Sequence, residues 1–160
     1  MTKFFGKYRG TVVSNGDPEL RGRLMVQAPA ALGSSQVWAL PCAPYGGKGV
    51  GFFTMPPIGA NIWVEFEGGN PENPIWSGCF WALGEFPAAM AIPLQKVFKT
   101  DAVTITITDA PGVGLITIET ALGMKIAISA TGIEINDGMQ AVIKLEGPKV
   151  SINGPALEVI

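Results

Sequence analysis

The 160-residue chain contains no histidine. That absence removes the commonest general base and the commonest transition-metal ligand. It also excludes Ser-His-Asp and Cys-His catalysis outright. Cysteine is scarce as well: Cys42 and Cys79 are too few for a disulfide framework or a zinc site. They read as buried free thiols in a reducing compartment, with a single bridge as the alternative. Charged residues make up only 15% of the chain, with no basic block and a formal net charge of −2. Counterion release therefore has little to act on, and nucleic-acid binding is disfavoured. No apolar run approaches the ~18 residues that a membrane-spanning helix needs. The start, Met1-Thr-Lys-Phe-Phe-Gly, lacks the sustained apolar core of a signal peptide. Synthesis in the cytoplasm of the producing cell is the expectation.

What the chain has in plenty is apolar β pattern. Mean hydropathy is +0.33, high for a chain with no membrane span, so the apolar excess must be buried between protein surfaces, and between chains. The length suits one domain or two small ones. Three stretches separate by composition: 1–83, with mixed strand and turn signals; 84–100, a Pro/Ala-containing connector; and 101–160, which is repetitive. Charge divides unevenly, six Lys/Arg against five Asp/Glu over 1–83 and five against eight over 84–160.

The repetitive part holds short alternating runs such as Val103-Thr-Ile-Thr-Ile-Thr108, Met124-Lys-Ile-Ala-Ile-Ser129 and Gly132-Ile-Glu-Ile-Asn136. Turn pairs such as Asp137-Gly138 and Gly147-Pro148 separate them. Runs that restart about every eight to ten residues predict a β-solenoid whose apolar stripe no single segment can bury. Alternation places Ile105, Ile107, Ile116, Ile118, Met124, Ile126, Ile128, Ile133, Ile135, Ile143, Leu145, Val150, Ile152, Leu157 and Val159 on one face. Thr104, Thr106, Lys125, Ser129, Glu134, Lys144, Glu146, Ser151 and Asn153 fall on the other. An ordinary sandwich is the alternative. It is disfavoured because no large aromatic follows Phe98 to fill a core ~10 Å thick. An all-aliphatic face suits a narrow tube in which each of three chains forms one wall.

In the first part, residues 7–13, 23–27, 36–40, 52–55, 61–67 and 74–80 read as strands. Ile62, Val64 and Phe66 share one face. Five or six short strands with long loops predict a small closed barrel of the OB type. Short helical turns are expected only near 29–32 or 88–91. The Gly-rich stretch 44–51 lacks the Gly-Lys-Ser/Thr ending of a phosphate-binding loop. Glu65 and Glu67 flank Phe66 and read as a solvated or interface face. Asp17 and Glu19 belong to turn chemistry. Trp38, Trp63, Trp76 and Trp81 lack a basic groove to accompany them and read as packing residues.

These residues carry a resemblance. Gly10-Thr-Val-Val, Asn15-Gly-Asp-Pro-Glu, Leu20-Arg-Gly-Arg-Leu-Met-Val, Ala43-Pro-Tyr-Gly-Gly, Met55-Pro-Pro-Ile-Gly, Ile62-Trp-Val-Glu-Phe-Glu-Gly-Gly-Asn-Pro and Asn73-Pro-Ile-Trp-Ser-Gly run in order. Over residues 6–84 the chain resembles the OB domain of phage baseplate spikes of the gpV type and of the VgrG proteins of type VI secretion. The remainder is similar to the triple-stranded β-helix that follows that domain. The resemblance implies an all-β protein, an OB-fold barrel followed by an intertwined trimeric β-helix or β-prism, without cofactor or enzymatic activity. It implies a homotrimeric spike that seats on a baseplate or tube hub and pierces the target cell envelope. In that reading the apolar face above, from Ile105 to Ile152, is the trimer core. Phe4, Phe5, Gly46, Gly47 and Lys48 are the candidate hub contacts.

Two departures from the family matter. The short 84–100 connector replaces the lysozyme domain that some spikes carry, so peptidoglycan hydrolysis is not expected. The His-x-His iron site of some spike tips cannot be built without histidine. Leu157, Val159 and Ile160 are instead expected to form an apolar platform for a separate tip protein of the PAAR type. The rival readings are an OB-type sugar or nucleic-acid binding module with a β-rich oligomerisation tail, and a hydrolase using Glu65 or Glu67.

Overall fold

The computed structural model describes residues 2–87, 93–110 and 115–159. The chain divides into two units, 1–85 and 86–160.

In the first unit, β1 (Tyr8–Ser14), β2 (Leu24–Gln27), β3 (Gln36–Pro41), β6 (Asn61–Phe66) and β7 (Pro74–Cys79) close a barrel in the order β1-β2-β3-β7-β6. Only β3 and β7 run parallel, with Leu40 opposite Ile75. Closure leaves no open sheet edge, which suits a small β unit with one dry interior. Alternation fills that interior: Ile62, Val64 and Phe66 from β6 meet Val12, Leu24, Val26 and Ala39, all buried. One helical turn, α1 (Pro29–Leu32), sits between β2 and β3 with proline in its first turn, where the missing N–H costs nothing. The second expected helical turn, at 88–91, lies outside the described residues.

The Gly-rich stretch and the residues after it differ from expectation. A two-stranded hairpin, β4 (Gly46–Gly47) with β5 (Val50–Gly51), forms a small sheet of its own, separate from the barrel. Phe52, Phe53, Thr54 and Met55, read as a strand, pair with no barrel strand. Their aromatic content favours a strand, but the closed barrel offers no free edge to join.

The second unit is one antiparallel meander of eight strands: β8 (Gln95–Lys99), β9 (Val103–Thr108), β10 (Ile116–Thr120), β11 (Lys125–Ser129), β12 (Gly132–Asn136), β13 (Val142–Glu146), β14 (Lys149–Ile152) and β15 (Leu157–Val159). Each strand pairs with its chain neighbours. A single chain therefore forms one wall and closes no solenoid coil. The sheet also begins earlier than the alternating pattern, because β8 occupies 95–99 within the stretch that reads as a connector.

Candidate functional site

The register of the meander aligns its apolar residues into two straight ladders. One runs Phe98, Ile105, Ile118, Ile126, Ile135, Ile143, Ile152 and Leu157 across eight strands. The other runs Ile107, Ile116, Ile128, Ile133, Leu145, Val150 and Val159. A one-residue slip at any pair would throw the following rungs to the opposite face, and none occurs. Met124 lies one step beyond the ladders, at the turn edge, where its N–H bonds Thr120 Oγ1 at 3.1 Å. Phe98, absent from the sequence-derived set, is the first rung. Its place opposite Ile105 identifies it, and the apolar pair Val97-Phe98 between Lys96 and Lys99 is the signal the sequence offers. Of the expected tip platform, Leu157 is the last rung of the first ladder and is exposed. Val159 is placed by its backbone opposite Val150, its side chain lying outside the described set. Ile160 lies outside the described residues.

Among the described residues, nothing in the second unit covers these ladders. Rungs from Ile107 to Ile152 stand 37–44% exposed, Ile105 being half-buried. The opposite face is polar and self-neutralised. Lys125 stands opposite Glu119, Glu146 opposite Lys149, and Glu134 meets Lys144 at 3.2 Å. The Lys144 ammonium holds the Glu134 carboxyl below its ordinary range. An open, continuous apolar sheet face beside a satisfied polar one is an interaction surface, not a reaction site.

On the barrel, the loop joining β1 to β2 is built around Asp17. Its carboxylate accepts N–H bonds from Glu19, Arg21 and Arg23 at 2.8–3.1 Å. Arg23 Nε and Nη2 add bonds at 3.0 and 2.8 Å, and the guanidinium lies 5.1 Å from the Trp38 ring centre. The Arg23 bond, then those backbone donors, hold the Asp17 carboxyl well below the usual carboxylate range against the opposing effect of burial. The clamp also fixes Leu20 in the left-handed region at φ 54° with its side chain in solvent. Three of the four tryptophans pack: Trp38 lies against Arg23, Trp76 donates to the Gly22 carbonyl at 3.1 Å, and Trp63 stacks with Phe80 and Arg9, whereas Trp81, beyond the last barrel strand, is exposed and does not fit the packing expectation. Glu65 pairs with Lys7 at 2.7 Å, and Glu67 lies in the turn after β6. Cys42 and Cys79, expected to be buried, are exposed free thiols because each falls at or beyond a strand end, outside the core. Partial burial still pushes the Cys79 thiol up.

The candidate hub contacts fall at opposite ends of the barrel. The Phe4 N–H bonds the Gly69 carbonyl at 2.9 Å, beside the β6–β7 turn. The Phe4 ring is half-buried in a cluster with Tyr8 and Phe66, 5.8 and 5.7 Å between centres, which leaves Phe5 as the exposed member of the pair. Gly46, Gly47 and Lys48 belong to the hairpin at the other end. There Phe53 approaches Gly22, and Asn15 Nδ2 donates to the Pro56 carbonyl. The chain leaves the barrel at this same end, where the Phe80 N–H bonds the Asn61 carbonyl.

Comparison with protein families assigns both units. The profile of the type VI secretion system/phage-baseplate injector OB domain matches residues 8–81. The profile of the phage baseplate V C-terminal trimerisation domain matches residues 95–158. The chain belongs to the gpV-type baseplate spike family. The closed five-stranded barrel is consistent with the OB domain, and the open Ile ladders belong to the family's trimerisation domain. The spike family is a structural one. No curated protein matches the chain.

Proposed function

We propose that this protein is the central spike of a contractile injection machine, acting as a homotrimer that seats on the tube hub and pierces the target cell envelope. The observation that carries the reading is the pair of unbroken, uncovered ladders within a domain of the trimerisation family. Three such walls, ladders inward, make a dry aliphatic prism with polar, self-neutralised outer faces. Closely packed interiors have low compressibility, so such a prism would transmit thrust along its length. The mechanism is mechanical. Phe5, exposed beside the β6–β7 turn where the Phe4 N–H meets the Gly69 carbonyl, supports that end of the barrel as the hub contact. Exposed Leu157 on the terminal strand β15 supports a platform for a separate tip protein of the PAAR type. Sedimentation of the purified chain with negative-stain imaging tests the central claim. An elongated trimer is expected; a monomer with a globular frictional ratio overturns it. For the tip, a chain ending at Gly154 is expected to lose binding of its tip partner, and undiminished binding refutes the platform.

A further inference from the structure

The β4–β5 hairpin is the part of the barrel unit that its own fold explains least. It pairs only with itself, and a two-stranded hairpin alone in water is marginally stable. Its flanks nevertheless present Tyr45, Val50, Phe52 and Phe53 to solvent, Phe53 at 76% exposure. Its tip is Gly-Gly-Lys-Gly, small enough for a backbone to approach another surface closely. No carboxylate occurs between Glu19 and Glu65. Arg21 and Arg23 are engaged by Glu19 and Asp17, whereas among the described residues Lys48 has no ionic partner. The hairpin is thus an apolar arm with one available cation.

A complementary surface lies at the same end of the barrel. Where the chain exits, Trp81 and Leu83 are exposed, Leu83 fully. Glu85 folds this exit segment by accepting from the Ala82 N–H at 2.6 Å and from Asn61 Nδ2 at 3.1 Å. The exit segment is therefore held in shape before any partner arrives, with apolar side chains and a carboxylate outward. Within one chain the arm leaves this segment uncovered. The family's trimerisation domain brings three copies of the arm and of the exit segment together.

We propose that the β4–β5 hairpin is an inter-protomer arm that docks on the exit segment, residues 81–85, of a neighbouring copy of this chain. The proposal rests on the trimeric reading above. It adds contacts that tie the three barrels together, with Lys48 meeting the partner's Glu85 and the arm's aromatic flanks covering the partner's Leu83.

The test uses the full-length purified chain with the photo-cross-linker p-benzoylphenylalanine in place of Lys48. Sedimentation first establishes the oligomeric state; irradiation, a denaturing gel and mass spectrometry then locate the linkage. Covalent dimers and trimers joined from position 48 to residues 81–85 are expected. Adding Leu83→Asp should abolish that product while sedimentation still reports a trimer, because the ladders are untouched and Leu83 packs on nothing in its own chain. A trimer whose product is intramolecular, or maps elsewhere on the partner, overturns the arm and leaves the spike reading standing. A monomer overturns both.

Discussion

At the scale of single residues, Asp17 shows how one side chain organises a loop. It satisfies three backbone donors, and its Oδ1 also accepts from Nε and Nη2 of the Arg23 guanidinium; in doing so it holds Leu20 in a conformation that β-carbon crowding disfavours. Because the folded-state pKa lies below the unfolded value of about 3.9, this stabilisation is complete above that value and is lost as pH falls beneath it. Asp17→Asn should therefore lower the melting temperature of the barrel at neutral pH. It should also flatten the loss of stability between about pH 5 and about pH 3. Calorimetry of the two proteins across that range checks this, with Trp38 as a near-ultraviolet reporter; equal acid slopes would count against the clamp. The turn chemistry of Asp17 is legible in Asn15-Gly-Asp-Pro-Glu, whereas the seating of its partner Arg23 against Trp38 is not. That requires knowing that β2 and β3 are adjacent, which local pattern does not encode.

At the scale of elements, alternation predicts β9 to β15 because one face is uniformly aliphatic and the period of two is unbroken. Likewise β6, with Ile62, Val64 and Phe66 buried, follows its pattern. The failures have a common cause. Phe52 and Phe53 have the propensity of a strand and no edge to pair with, while Gln95–Lys99 looks like a connector and gains a strand's hydrogen bonds from β9. Pairing partners, not propensity, decide both cases. Partners also decide which glycines are replaceable. A methyl group on Gly132 would overlap the Leu145 carbonyl oxygen across the β12–β13 pair, whereas one on Gly147, at φ 58°, would meet nothing. Gly132→Ala should cost about 3 kcal/mol or more per chain, as overpacking does, and should reduce soluble assembled protein. Gly147→Ala should cost about 1–2 kcal/mol, the penalty of the left-handed backbone alone. Chemical denaturation of the two variants checks the ranking, and equal losses would refute the close approach of β12 and β13.

For the whole molecule, exposed surface supplies the argument. The rungs of both ladders from Ile107 to Ile152 stand 37–44% exposed on one sheet face. An apolar face that continuous needs another protein surface over it, and three chains provide the cover. Folding and association are then linked, so unfolding should be a single transition whose midpoint rises with protein concentration. Ile135→Asp would place three carboxylates around the axis with no cation to meet them, and breaking a buried environment in this way costs about 3–5 kcal/mol per unpaired charge. Assembly should fail. Thr117→Asp introduces the same charge on the opposite face of the same sheet, where Thr106 and Ala127 are its strand neighbours, and it should leave the trimer intact. Sedimentation of the two variants separates the faces. A trimer from Ile135→Asp would place the ladders outside the shaft, and loss of assembly from Thr117→Asp would mean that the polar face also takes part in the interface.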